Sequence, residues 1–184
     1  MVTKIEPRLT TADLAATPDD GNHYELIEGE LFVSRAPSIP HQRIIHNLQM
    51  TIGLYLEHQP VGILIPGAGI IFSDFDAVIP DLIFVSEERR AEIASGDKLT
   101  GAPELIIEVM SAGTENRQRD LVVKRQLYGK YGVKEYWVID PENRLVEVYR
   151  LQEQSLEKVG SFTDELTSSL FPDLRLNVQR IFKL

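Results

Sequence analysis

The sequence predicts an α/β protein with a mixed central sheet flanked by helices. Two patterns carry that expectation. Short apolar runs bounded by Pro and Gly, namely GILIPG, GAGIIFS, PDLIFVS and PELIIEVMS, read as strands. Residues 40–58 and 115–131 show helical rather than alternating periodicity, and they fall before and after those runs.

From the N-terminal end, TTADLAATP reads as a short helix, with Thr10 or Thr11 at the N-cap and Asp13 in the first turn. YELIEGELFVS reads as a hairpin turning at Glu28-Gly29, with Tyr24, Leu26, Leu31 and Val33 at β-favouring positions. Ile44, Ile45, Leu48, Ile52, Tyr55 and Leu56 give the helix from Pro40 to about His58 one apolar face. After the four strand runs and a polar, partly helical connection at EERRAEIASGDKLTG comes the second helix, stopped by Gly132. EYWVIDPENRLVEVYRL reads as a hairpin turning through Asp140 to Asn143, and the apolar tail SSLFPDLRLNVQRIF as a docked loop and short helix. At 184 residues the expectation is a single domain over 1–184. It comprises an N-terminal helix and hairpin (8–36), a core (40–151) and a C-terminal tail (152–184).

Composition narrows the chemistry. With no cysteine there is neither a disulfide framework nor a thiolate metal site. The opening MVTKIEPRLTTADLAA lacks the apolar core of a secretory signal and no run is long enough to span a membrane, so a cytoplasmic protein without a membrane partner is expected. A net charge of −9 argues against a binder that works by covering phosphates with lysine and arginine. It leaves room for an enzyme in which bound cations offset the balance.

Glu108 is the residue that asks for an explanation. It stands inside the apolar run from Leu105 to Met110, where an unpaired carboxylate costs several kcal/mol. Alternation puts it on one face with Ile106 and Met110, and Leu105, Ile107 and Val109 on the other. If PDLIFVS and PELIIEVMS are antiparallel neighbours, Asp81 and Glu108 meet at one end of the sheet. Two carboxylates so placed repel unless a cation lies between them, and oxygen ligation suits Mg²⁺ or Mn²⁺. On the second helix Leu121, Lys124, Tyr128 and Tyr131 form one stripe, turning the Lys124 stem inward, with Asp120 and Glu108 as candidate partners. Asp, Glu and Lys around a divalent ion suit metal-assisted phosphodiester hydrolysis. Plainer readings remain open: Glu108 as an edge-strand residue facing solvent, Asp120 and Lys124 as a surface ion pair, His41 as a helix cap or surface residue.

The ordered motifs PDLIFV, PELIIEVMS and RDLVVKRQLYGKYGVKEYWVIDP, with VEVYRL after them and YELIEGEL and PHQRIIHNL before them, resemble the Uma-type family of endonucleases, a branch of the PD-(D/E)XK restriction-endonuclease-like superfamily. The resemblance covers nearly the whole chain. It implies a restriction-endonuclease-like core and a Mg²⁺- or Mn²⁺-dependent endonuclease acting on nucleic acid, DNA in particular. It places catalytic residues at Asp81, Glu108 and Lys124, with Glu25 as a further acidic position and Asp81, Glu108 and the Val109 carbonyl as metal ligands. The chain departs from the superfamily pattern at Met110, where the lysine of Glu-x-Lys would stand; Lys124 on the following helix matches the displaced lysine. A second reading is a catalytically silent relative that keeps the fold as an interaction module. A homodimer is a further expectation, with Trp137, Tyr149, Leu170 and Phe171 as its contact surface.

Overall fold

The computed structural model describes residues 8–111 and 119–183. Helix α1 (Thr11–Leu14) starts where expected, because the Asp13 carboxylate accepts both the Thr10 N–H and the Thr10 hydroxyl, at 2.7 and 2.8 Å. Strands β1 (His23–Ile27) and β2 (Glu30–Ser34) form the expected hairpin. Its two turn residues, Glu28 and Gly29, have φ of 55° and 80°, the left-handed pair that suits the twist of a two-residue hairpin.

Helix α2 (Ile39–His58) buries the stripe Ile44, Ile45, Leu48, Ile52 and Leu56. Strands β3 (Gly62–Pro66), β4 (Ile70–Ser73), β5 (Asp76–Val78) and β6 (Leu82–Ser86) follow, then helix α3 (Glu87–Ile93) and the very short β7 (Ala94–Ser95) and β8 (Lys98–Leu99). Strand β9 (Leu105–Val109) carries Glu108. The second helix begins as a π-helical segment, Arg119–Lys124, and continues as α4 (Arg125–Lys130); positions 115–118 of the expected helix lie outside the described residues. Strands β10 (Glu135–Asp140) and β11 (Leu145–Gln152) form the second expected hairpin.

The tail differs from the expected loop and short helix. It adds β12 (Ser155–Phe162) to the sheet beside β11, then a small hairpin of β13 (Glu165–Ser168) and β14 (Phe171–Asn177), before the short helix α5 (Val178–Ile181). In SLEKVGSF only Leu156 is fully buried, so the alternation that marks a strand is faint there. The three residues of β5 were likewise too few to show a period.

Two mixed six-stranded sheets result, in the orders β2-β1-β5-β4-β8-β7 and β12-β11-β10-β9-β6-β3. In the second, β9 lies between β6, antiparallel, and β10, parallel. The parallel step β9–β10 is the one that needs a crossover, and the helical segment from Arg119 to Lys130 belongs to that connection. The alternation along β9 holds. Leu105, Ile107 and Val109 pack with the α2 stripe, Trp137 and Phe171, whereas Ile106 and Met110 pack with Tyr128, Tyr136 and Val138 under α4. Trp137, Tyr149 and Phe171 are therefore interior residues, and Leu170 packs against the same core. Three of the four side chains expected at a dimer contact are thus inside the molecule, and the fourth, Leu170, is half-buried. Apolarity alone could not distinguish a core aromatic from an interface one.

Candidate active site

Glu108 sits near the end of an inner strand, buried to 5% exposure, which rules out the edge-strand alternative. The antiparallel register pairs Leu82 with Ile107, and one further step sets Asp81 opposite Glu108. Asp81 is fixed there by main-chain hydrogen bonding, its Oδ2 accepting the Val109 N–H at 2.7 Å.

Lys124 arrives from the other side. The inward stripe on the second helix leaves its side chain 3% exposed. Its ammonium donates to Glu108 Oε1 at 2.8 Å and to Glu25 Oε1 at 3.0 Å. Of its two expected partners Glu108 is therefore present, while the Asp120 side chain lies outside the described residues. Glu25 reaches across from β1 in the first sheet, and its Oε1 also accepts the Ile79 N–H at 2.9 Å, tying down the segment that leads to Asp81. The Tyr128 hydroxyl donates to Glu108 Oε1 at 2.8 Å. Burial, and then the neighbouring Glu108 charge, pushes that hydroxyl well above its ordinary pKa, so Tyr128 remains a donor. Among the described residues Lys124 and Tyr128 thus both donate to Glu108 Oε1 and hold the carboxylate in one orientation.

The structure brings in a residue that the sequence left as a cap or surface histidine. His41, in the first turn of α2, is buried, and its Nε2 lies 3.1 Å from Asp81 Oδ2 and 3.1 Å from the Val109 carbonyl oxygen. Both neighbours are acceptors, so in this state Nε2 carries the proton and donates. A lone histidine on a helix gives no signal of contacts 40 and 68 residues away in the chain. A Ser38 N-cap fixing the first turn was the only local hint of how that side chain would be aimed.

Three carboxylates, from Glu25, Asp81 and Glu108, thus share a region with one ammonium. The oxygen donors available are of the hard type that Mg²⁺ and Mn²⁺ prefer. Among the described residues no three His, Asp or Glu side chains gather into a ready metal-holding group, so a cation here would draw on the Val109 carbonyl as well.

A family model described as "Uma2: Putative restriction endonuclease" matches residues 11–179 of the chain. Among solved structures, the chain is similar to that of a putative nuclease belonging to DUF820 from Anabaena variabilis ATCC 29413, with a TM-score of 0.75 and 21% identity. The match covers 95% of this chain and 97% of that one, and at this identity it speaks for the fold. No curated protein matches the chain. Among the described residues no helix is long and apolar enough to cross a membrane.

Proposed function

The chain belongs to the Uma2 family of restriction-endonuclease-like proteins, and from that premise we propose that it is a divalent-metal-dependent endonuclease hydrolysing the phosphodiester bonds of DNA. Family and fold together support a nuclease function. The observation that carries the finer reading is the placement of Asp81 and Glu108 at the paired ends of β6 and β9, with the Lys124 ammonium 2.8 Å from Glu108.

In this reading Asp81, Glu108 and the Val109 carbonyl would hold Mg²⁺ or Mn²⁺. When bound, the ion would supply Lewis-acid polarisation of the phosphate and lower the pKa of a water. The chain's own residues do the rest. Val109 N–H fixes Asp81 Oδ2, and Tyr128 and Lys124 fix Glu108 Oε1, so the carboxylates need little reorganisation when substrate arrives. Lys124 offsets the charge that builds on the phosphate oxygens as water oxygen bonds to phosphorus and the sugar oxygen leaves. Glu25 holds Lys124 from the far side and keeps the ammonium from swinging away.

The test is cleavage of plasmid and single-stranded DNA by the protein with Mg²⁺, with Mn²⁺ and with a chelator. The proposal expects metal-dependent nicking that Glu108→Gln abolishes while circular dichroism stays unchanged. Absence of cleavage by the folded parent with either metal would favour the catalytically silent interaction module.

A further inference from the structure

Resting on the metal reading of Asp81, Glu108 and the Val109 carbonyl, we infer that His41 is a further protein ligand of the cation, and that its imidazole nitrogen biases the site toward Mn²⁺ over Mg²⁺. The geometry behind this is the approach of His41 Nε2 to two oxygen acceptors. His41 Nε2 lies at 3.1 Å from Asp81 Oδ2 and at 3.1 Å from the Val109 carbonyl oxygen. Two ligands at right angles about a cation with bonds of about 2.1 Å stand about 3.0 Å apart. The two separations from Nε2 are of the size expected between adjacent corners of such a shell.

The Nε2 proton points at these two acceptors, where a cation would lie. Binding requires no large movement of α2: the imidazole has only to present Nε2 as a lone pair, carrying its proton on Nδ1 instead. The elements that aim these atoms are rigid. Ser38 caps the first turn of a 20-residue helix, and β9 is an inner strand of the sheet.

The choice of metal follows from ligand chemistry. Mg²⁺ binds carboxylate, carbonyl and water oxygen and seldom nitrogen, whereas imidazole suits the transition metals and gains affinity along the series that begins with Mn²⁺. Oxygen donors joined by one imidazole therefore discriminate in a way that Asp81, Glu108 and Val109 alone would not. His41 contributes specificity for the metal, and its removal leaves an oxygen-only site.

Mn²⁺ and Mg²⁺ are titrated by calorimetry into the parent, Asp81→Ala and His41→Gln. The Mn²⁺-loaded parent, with and without ¹⁵N-labelled histidine, is examined by electron spin echo spectroscopy. The inference expects a nitrogen coupling in the parent that changes with the histidine label and is lost in His41→Gln. It also expects Mn²⁺ affinity to fall about 10-fold in His41→Gln and Mg²⁺ affinity to fall much less, so that the Mn²⁺/Mg²⁺ ratio drops. The labelled parent needs no folded variant, and the other three histidines, His23, His46 and His58, are all exposed. Mn²⁺ bound by the parent without a histidine coupling would overturn His41 ligation and leave the carboxylate site standing. Unchanged Mn²⁺ binding in Asp81→Ala would overturn the metal reading itself, and this inference with it.

Discussion

The Lys124 ammonium and the Glu108 carboxylate, 16 residues apart in the chain, meet at 2.8 Å in the interior. Met110, two residues after Glu108, occupies the position where the lysine of a Glu-x-Lys pattern would stand, and it is buried in the same core cluster as Tyr128. The positive charge therefore comes from the crossover helix rather than from the strand.

Lys124→Met leaves Glu25 and Glu108 buried with no ammonium between them. Removing one partner of a buried pair costs about 3–5 kcal/mol, so a large drop in the urea midpoint is expected. Lys124→Met with Glu25→Gln should recover part of that loss, because one of the two stranded charges is gone. Equal midpoints for the single and double variants would show that the ion pairs add little.

Where Lys124→Met remains folded, cleavage should fall by roughly 10²- to 10³-fold, the usual cost of losing one electrostatic donor. Residues i and i+2 share a strand face about 7 Å apart, within reach of a lysine side chain. Adding Met110→Lys should then restore part of the rate from the strand side. A double variant no faster than Lys124→Met would show that the ammonium works only from the helix.

Tyr128→Phe removes a donor to Glu108 Oε1 and leaves a buried acceptor less satisfied. A loss of about 1–3 kcal/mol is expected in chemical denaturation. The measurement is the midpoint at constant m-value, and a change within 0.5 kcal/mol, a size usual for surface substitutions, would contradict the structural role given to the hydroxyl.

Asp76 gives the molecule an acid-sensitive joint. Burial pushes its carboxyl up, but the Tyr131 hydroxyl, the Glu28 N–H and the Lys130 ammonium more than offset this and hold it below its ordinary value. A carboxyl depressed in the folded state contributes stability that is present above the unfolded value. That stability is lost as pH falls through the folded one. Thermal midpoints should therefore decline below about pH 4. Asp76→Asn should start lower at neutral pH and lose less on acidification, and parallel curves for the two proteins would refute the assignment.

Much of the fold was legible because local chemistry agreed with tertiary structure. Thr10 and Asp13 marked a helix start, Glu28-Gly29 marked a hairpin turn, and the period-2 pattern from Leu105 to Val109 placed Glu108 on the face beneath Lys124. What escaped lacked a local signal. Strand β12 shows one fully buried position in eight, and β13–β14 form a small hairpin in a tail whose apolar residues suggested only docking. His41 and the Tyr128 hydroxyl matter through contacts between distant parts of the chain, which no spacing rule encodes. Glu25 came from resemblance alone, and its grip on Lys124 depends on the first sheet meeting the crossover helix.

The most direct test is Mn²⁺ titration by calorimetry into the parent and Asp81→Ala at equal protein concentration, with circular dichroism alongside. The account predicts saturable binding to the parent, no measurable binding to the variant and identical spectra. It also predicts an apo variant at least as stable as the parent wherever relief of carboxylate repulsion outweighs the lost bond to Val109. Mn²⁺ binding of equal affinity in both proteins would contradict the placement of the metal between Asp81 and Glu108.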